Sequence, residues 1–213
     1  MQNLKLFLLI ALPVLLITAC RDDDDSSSQM VDDALDFMPL EVGAYWVYDT
    51  ENASSSEPTS TDTIEVVASF ADGEDTIYEL ESTSSFLSSA FIPTRLRLRD
   101  GKLYFDDEDN TNLFLTVSTE DAGTIIYTED IPQDLGVINY SYDDELASIT
   151  TSAGSFDCVN IEGEILANDT SAPAHESRLN NFFAEGVGLV SARRFFWSNG
   201  APIDIKLVEF FLP

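Results

Sequence analysis

The sequence predicts an all-β domain: an antiparallel meander that curls on itself as a barrel or half-barrel, with a β-sandwich as the alternative. Three observations carry that expectation. Beyond residue 30, clusters of Gly, Pro, Asn and Asp break the chain roughly every 8–15 residues. The segments between them alternate apolar and polar side chains, the period of a strand with one buried face. Aromatic residues make up 11% of the chain, and many short strands rich in rings suit a sheet closed around its own core.

The elements follow in order. Residues 31–37 read as a short helix, and 45–50 as the first strand. Within 63–70, Ile64, Val66, Ala68 and Phe70 share one face while Thr63, Glu65 and Ser69 share the other. Asp72-Gly73 then turns the chain into 75–82, which makes a hairpin. Residues 94–99 place Leu96 and Leu98 inward and Arg95, Arg97 and Arg99 outward, and Asp100-Gly101 turns them into 102–105. Further strands are expected at 112–118, 123–127, 137–142, 147–151, 156–166, 177–183, 187–197 and 203–211.

The N-terminus has a different composition. Lys5 precedes an apolar run over 6–17 that Pro13 interrupts, giving the charged and hydrophobic regions of an export signal. Twelve residues fall short of the roughly 20 that cross a bilayer as a helix. The run ends at Ile17-Thr18-Ala19-Cys20, the pattern of a bacterial lipobox. Residues 1–19 are thus expected to be removed and the Cys20 sulfur acylated. Each buried methylene would contribute about 0.8 kcal/mol to membrane attachment. Arg21-Asp22-Asp23-Asp24-Asp25 and three serines follow, too charged to bury, so 20–37 read as the lipidated residue and an acidic flexible tether, and 38–213 as one β-rich domain. A basic residue and then acids directly after the lipidated Cys (Arg21, Asp22, Asp23) resembles the surface-export signal of Bacteroidota lipoproteins. That resemblance implies an anchor in the outer membrane facing the cell exterior; a periplasm-facing anchor is the alternative.

A net charge of −29 repels phosphate backbones and anionic head groups, which excludes nucleic acid and leaves the lipid as the membrane contact. Cys158 is the only cysteine besides Cys20, so acylation of Cys20 precludes an intramolecular disulfide. Catalytic chemistry finds little support. His175 is the single histidine and sits in a loop, no Gly-x-Ser-x-Gly elbow occurs, and Cys158 has only Asn160 and Glu162 as strand companions, so it reads as a buried, inert thiol. With 39 Asp and Glu, close carboxylate pairs arise by chance and point to no hydrolase in particular. No cofactor is called for.

Two features merit weighing as binding sites. Asp107, Asp109 and Thr111 have the one-three-five spacing of a calcium loop, but Asn112 and Ser118 stand where Gly and a bidentate Glu belong, so at most a weak cation site is expected. Arg95, Arg97 and Arg99 form a ridge of opposite sign to the chain, suited to an anionic glycan, or else matched by Glu79 and Glu81 on the neighbouring strand. Trp46, Tyr48, Phe196 and Trp197 are the aromatics available to stack on sugar rings, after the core has taken its share.

Three segments carry a family likeness. Residues 38–48, with Pro39-Leu40, Gly43 and Trp46-Val47-Tyr48, resemble the opening of a group of uncharacterised Bacteroidota lipoproteins. Ala153-Gly154-Ser155-Phe156 and Phe182-Phe183-Ala184-Glu185-Gly186-Val187-Gly188-Leu189-Val190 are similar to that group's later turns. The resemblance implies a secreted β-rich domain and fixes no reaction. Gly154, Gly186 and Gly188 suit a backbone at positive φ or pressed against another strand. The functions expected, in order, are a non-catalytic surface lipoprotein that binds a partner protein or glycan, a carrier of a lipid or other apolar ligand inside a curled sheet, and a carboxylate-dependent hydrolase.

Overall fold

Alternating side chains build twelve strands that all lie in one antiparallel sheet. The structure, a computed structural model, describes residues 33–52, 58–107, 111–168, 178–195 and 201–213. The elements are α1 (Ala34–Phe37), β1 (Tyr45–Asn52), β2 (Ser60–Asp72), β3 (Asp75–Ser82), α2 (Ser85–Ala90), β4 (Arg95–Arg99), β5 (Lys102–Phe105), β6 (Leu113–Leu115), β7 (Ile125–Ile131), β8 (Gly136–Thr151), β9 (Gly154–Ala167), β10 (Arg178–Ala184), β11 (Gly188–Phe195) and β12 (Pro202–Phe211). The strand order is β6-β5-β4-β3-β2-β1-β12-β11-β10-β9-β8-β7. The chain therefore runs as a circular meander: β1 pairs with β12 in the middle, and β6 and β7 are the two free edges.

Those edges meet through side chains. Phe105 of β5 lies 5.0 Å from Tyr127 of β7, ring centre to ring centre, and Tyr127 stacks on Tyr140 of β8 at 5.6 Å. Phe114 of β6 reaches Phe183 of β10 edge-on at 5.9 Å. Aromatic pairs of this geometry contribute about 0.5–1.5 kcal/mol each beyond the area they bury, so rings close a seam that backbone hydrogen bonds leave open. The result is a nearly closed barrel, and the single sheet rules out the sandwich.

Residues of the opening motif fix one part of the core. Trp46 and Tyr48 are fully buried; the indole N–H donates to the Val187 carbonyl at 2.5 Å and the Tyr48 hydroxyl to the Leu189 carbonyl at 2.9 Å. Both bonds tie β1 to the start of β11 past the intervening β12. Helix α1, capped by the Asp33 carboxylate on Leu35 N–H, adds Ala34 to the same core, with Met38 and Leu40 just beyond it. The Gly186 N–H donates to the Asp36 carbonyl at 2.6 Å and fastens α1 to the β10–β11 turn.

Several expectations need correction. Phe70 does not join Ile64 and Val66 inside: a bulge at Val67 shifts the register, and Phe70 is 43% exposed on the outer face. The stretches at 137–142 and 147–151 are one strand, β8, interrupted by a bulge between Asp143 and Ala147. Helix α2 was not expected, since six residues are too few to show a 3.6-residue period; its one local signal is Ser84, whose hydroxyl caps Leu87 N–H at 3.4 Å. Trp46 and Tyr48 point into the core, so neither is available to a glycan. The Asp100-Gly101 turn is as expected, with both residues at positive φ, 50° and 71°.

Candidate functional site

The outward arginines are the first feature to place. Arg97 is 8% exposed, and its guanidinium meets Asp72 at 2.9 Å, Asp75 at 2.8 Å and Asp106 at 2.8 Å. Arg99 donates to Asp75 at 2.7 Å, while Arg95 meets Asp106 at 3.0 Å and Glu79 at 3.9 Å. Hydrogen bonds from Arg99 and then Arg97 hold the Asp75 carboxyl well below its usual range, at about 2. The ridge thus finds its anions within its own sheet. Glu79 is among them, Glu81 instead lies across from Glu65, and three aspartates at the turns complete the set. What remains of the ridge is a charge clamp over Ile77, which Arg97 faces across the β3–β4 ladder.

Cys158 is buried, and burial pushes its thiol up to about 12, with Asp157 adding to the shift. A thiol held protonated at neutral pH is no nucleophile. Asp107 accepts a hydrogen bond from the Asn112 amide at 2.9 Å, and Asp109 lies outside the described residues. No group of three or more His, Cys, Asp or Glu that could hold a metal occurs among the described residues. Cys20, Arg21, Asp22, Asp23, His175, Phe196 and Trp197 also lie outside them.

The interior offers more. A cavity of about 310 Å³ lies inside the curled sheet, within the size range of small-molecule pockets, roughly 300–1,000 Å³. Rings of Phe105, Phe114, Phe183, Tyr127 and Tyr140 form much of its wall, and the seam-closing pairs described above are thus also its lining. Helix α2 and the following turn supply another side through Ser89, Ala90 and Phe91. Gly163 makes room for this arrangement: an added Cβ would stand 2.8 Å from the Tyr140 ring, so only a residue without a side chain lets that ring lie where it does. A wider, more open depression of about 420 Å³ near Pro39, Glu41 and Gly186 lies beside α1.

Besides the serines of α2, Arg194, Asn181 and Glu129 bring polar groups to the cavity's wall. Arg194 of β11 stands across from Ile203 of β12, and Asn181 of β10 from Ile161 of β9, so the register turns both inward. The Arg194 guanidinium donates to the Asn181 side-chain oxygen at 2.7 Å, the Ala90 carbonyl at 2.8 Å and the Arg193 carbonyl at 2.9 Å. It also lies over the Phe91 and Tyr140 rings, at 5.2 and 5.8 Å from their centres. Glu129 of β7 is the third, accepting from the Tyr140 hydroxyl at 2.9 Å. Burial, outweighing the nearby Arg194 charge, keeps that phenol protonated far above its usual range. None of these residues was singled out in the sequence, where a lone inward Arg or Glu in a strand looks like any solvent-facing charge.

No family model matches the chain, and no curated protein matches it. Among solved structures, it is similar to a candidate lipoprotein from Parabacteroides distasonis, with 16% identity and a TM-score of 0.48, over 81% of this chain and 96% of that one. It is also similar to a candidate exported protein with a YmcC-like fold from Bacteroides fragilis, with 11% identity and a TM-score of 0.47, over 81% of this chain and 97% of that one.

Proposed function

We propose that this chain is a lipid-anchored protein of the cell envelope that holds a small apolar molecule inside its curled sheet without transforming it. The observation that carries this reading is the aromatic-walled cavity of about 310 Å³. A close-packed core leaves few voids larger than a water molecule, whereas this cavity opens partly to solvent and presents a wall of rings that an apolar ligand would cover. The anchor is the Cys20 sulfur, and Arg21, Asp22 and Asp23 direct it to the outer face of the outer membrane.

Docking of a glycan or an outer-membrane protein on the outer sheet face has less behind it. Arg95, Arg97 and Arg99 already meet carboxylates, and Trp46 and Tyr48 are buried. A hydrolase needs two converging acids, whereas Glu129 is the one carboxylate among the described residues that line the aromatic-walled cavity.

Two measurements test the proposal. Mass spectrometry of the native protein is expected to find residues 1–19 gone and Cys20 carrying acyl chains; an intact leader or a bare Cys20 thiol would refute the anchor. Titration with the neutral dye N-phenylnaphthylamine is expected to give a blue-shifted, saturable fluorescence signal. Ile203→Trp, which extends a wall residue into the void, should weaken dye binding about tenfold while leaving the fold intact by circular dichroism. Unchanged dye binding in that variant would place the dye elsewhere and sink the cavity reading.

A further inference from the structure

We infer that Arg194 makes the cavity selective for amphiphiles with a singly charged anionic head, of which a medium-chain carboxylate is the fitting class; the inference rests on the cavity reading above. Eight Lys and Arg occur among the described residues. Seven of them, Arg95, Arg97, Arg99, Lys102, Arg178, Arg193 and Lys206, have an Asp or Glu oxygen within 4.0 Å. Arg194 has no such partner among the described residues, in a chain with 39 Asp and Glu. Arg193, its neighbour on the opposite face, is clasped by Asp204 at 2.6 Å. The contrast is therefore one of inside against outside.

A guanidinium cannot shed its proton in a protein, so a partly buried one cannot escape the cost of desolvation by neutralising itself. Three oxygen acceptors and two ring faces orient Arg194, but every one of them is neutral. Its Nη2 group makes no hydrogen bond among the described residues, which leaves planar N–H donors for an incoming anion. Carboxylates match that geometry. Around it the wall is apolar: Phe105, Phe114, Phe183, Ile138 and Ile161 would meet a hydrocarbon tail. Glu129 lines the same cavity, where it accepts from the Tyr140 hydroxyl. Its negative charge opposes a second charge on the ligand, so the head group is a monoanion and not a phosphate dianion.

The test compares decanoate with decanol, which share a tail and differ in the charge of the head. Calorimetric titration of the full chain at pH 7.5 (about three units above a free carboxyl's pKa) is expected to show decanoate binding about tenfold or more tighter than decanol. Arg194→Gln should bring the ratio of decanoate to decanol affinity close to one, while Arg194→Lys should keep part of the preference. Equal binding of the two ligands by the unaltered chain, which needs no variant to fold, overturns the inference and leaves the cavity reading standing. So does a preference that survives Arg194→Gln. Binding of neither ligand overturns the cavity reading and the inference with it.

Discussion

Gly188→Ala is expected to destabilise the fold by about 3–5 kcal/mol, a large share of the 5–15 kcal/mol typical of a domain. Gly188 has φ +112°, a backbone conformation unfavourable to a residue with a Cβ, and that strain alone costs of order 1–3 kcal/mol. The added methyl would also stand 2.7 Å from the Trp46 indole nitrogen. That ring cannot step aside, because it is fully buried and bonded to the Val187 carbonyl, and overpacking of this kind costs a further 1–3 kcal/mol or so. Two residues earlier, Gly186 has φ +67° with nothing within 4 Å of its would-be Cβ, so Gly186→Ala should cost only about 1 kcal/mol. Thermal unfolding followed by circular dichroism separates the two. A fall on the order of 10 °C is expected for Gly188→Ala, with a few degrees for Gly186→Ala. Equal losses would mean that backbone strain matters and the indole contact does not.

The same pair of glycines shows why the sequence was informative about the fold and nearly silent about the cavity. Strand alternation is local: Leu96 and Leu98 inside against Arg95, Arg97 and Arg99 outside can be read from five residues, and Asp100-Gly101 closes the hairpin by its own backbone preference. The Trp-x-Tyr opening and the Gly-Val-Gly turn come together as buried contacts between β1 and β11, so their role is to hold the barrel. What the alternation could not reveal is anything that depends on parity after a bulge. The extra residue at Val67 moved Phe70 outward, and which of Arg193 and Arg194 faces in follows only from the pairing with Asp204 and Ile203. The cavity is less legible still. Its wall comes from every strand from β5 to β12 and from a six-residue helix, brought together by closure of the seam.

Arg97→Gln is expected to lower the melting temperature by more than about 5 °C at pH 7 and by much less at pH 2.5, conditions on either side of the isoelectric point near 4.1. Three aspartates, Asp72, Asp75 and Asp106, converge on this guanidinium, and its removal leaves them facing one another with only Arg95 and Arg99 nearby. The sign with pH follows from Asp75. Its folded pKa of about 2 lies below the usual value of 3.8, so the stabilisation it brings is present above 3.8 and is lost as pH falls towards 2. In the variant that depression weakens and carboxylate repulsion works against it, so acid removes less stability than it does from the parent. The two unfolding curves should therefore approach each other as the aspartates protonate. A deficit that stays constant from pH 7 to pH 2.5 in scanning calorimetry would assign the effect to lost packing over Ile77 instead, and the outer face would then be held by the arginine's hydrocarbon stem and not by its charge.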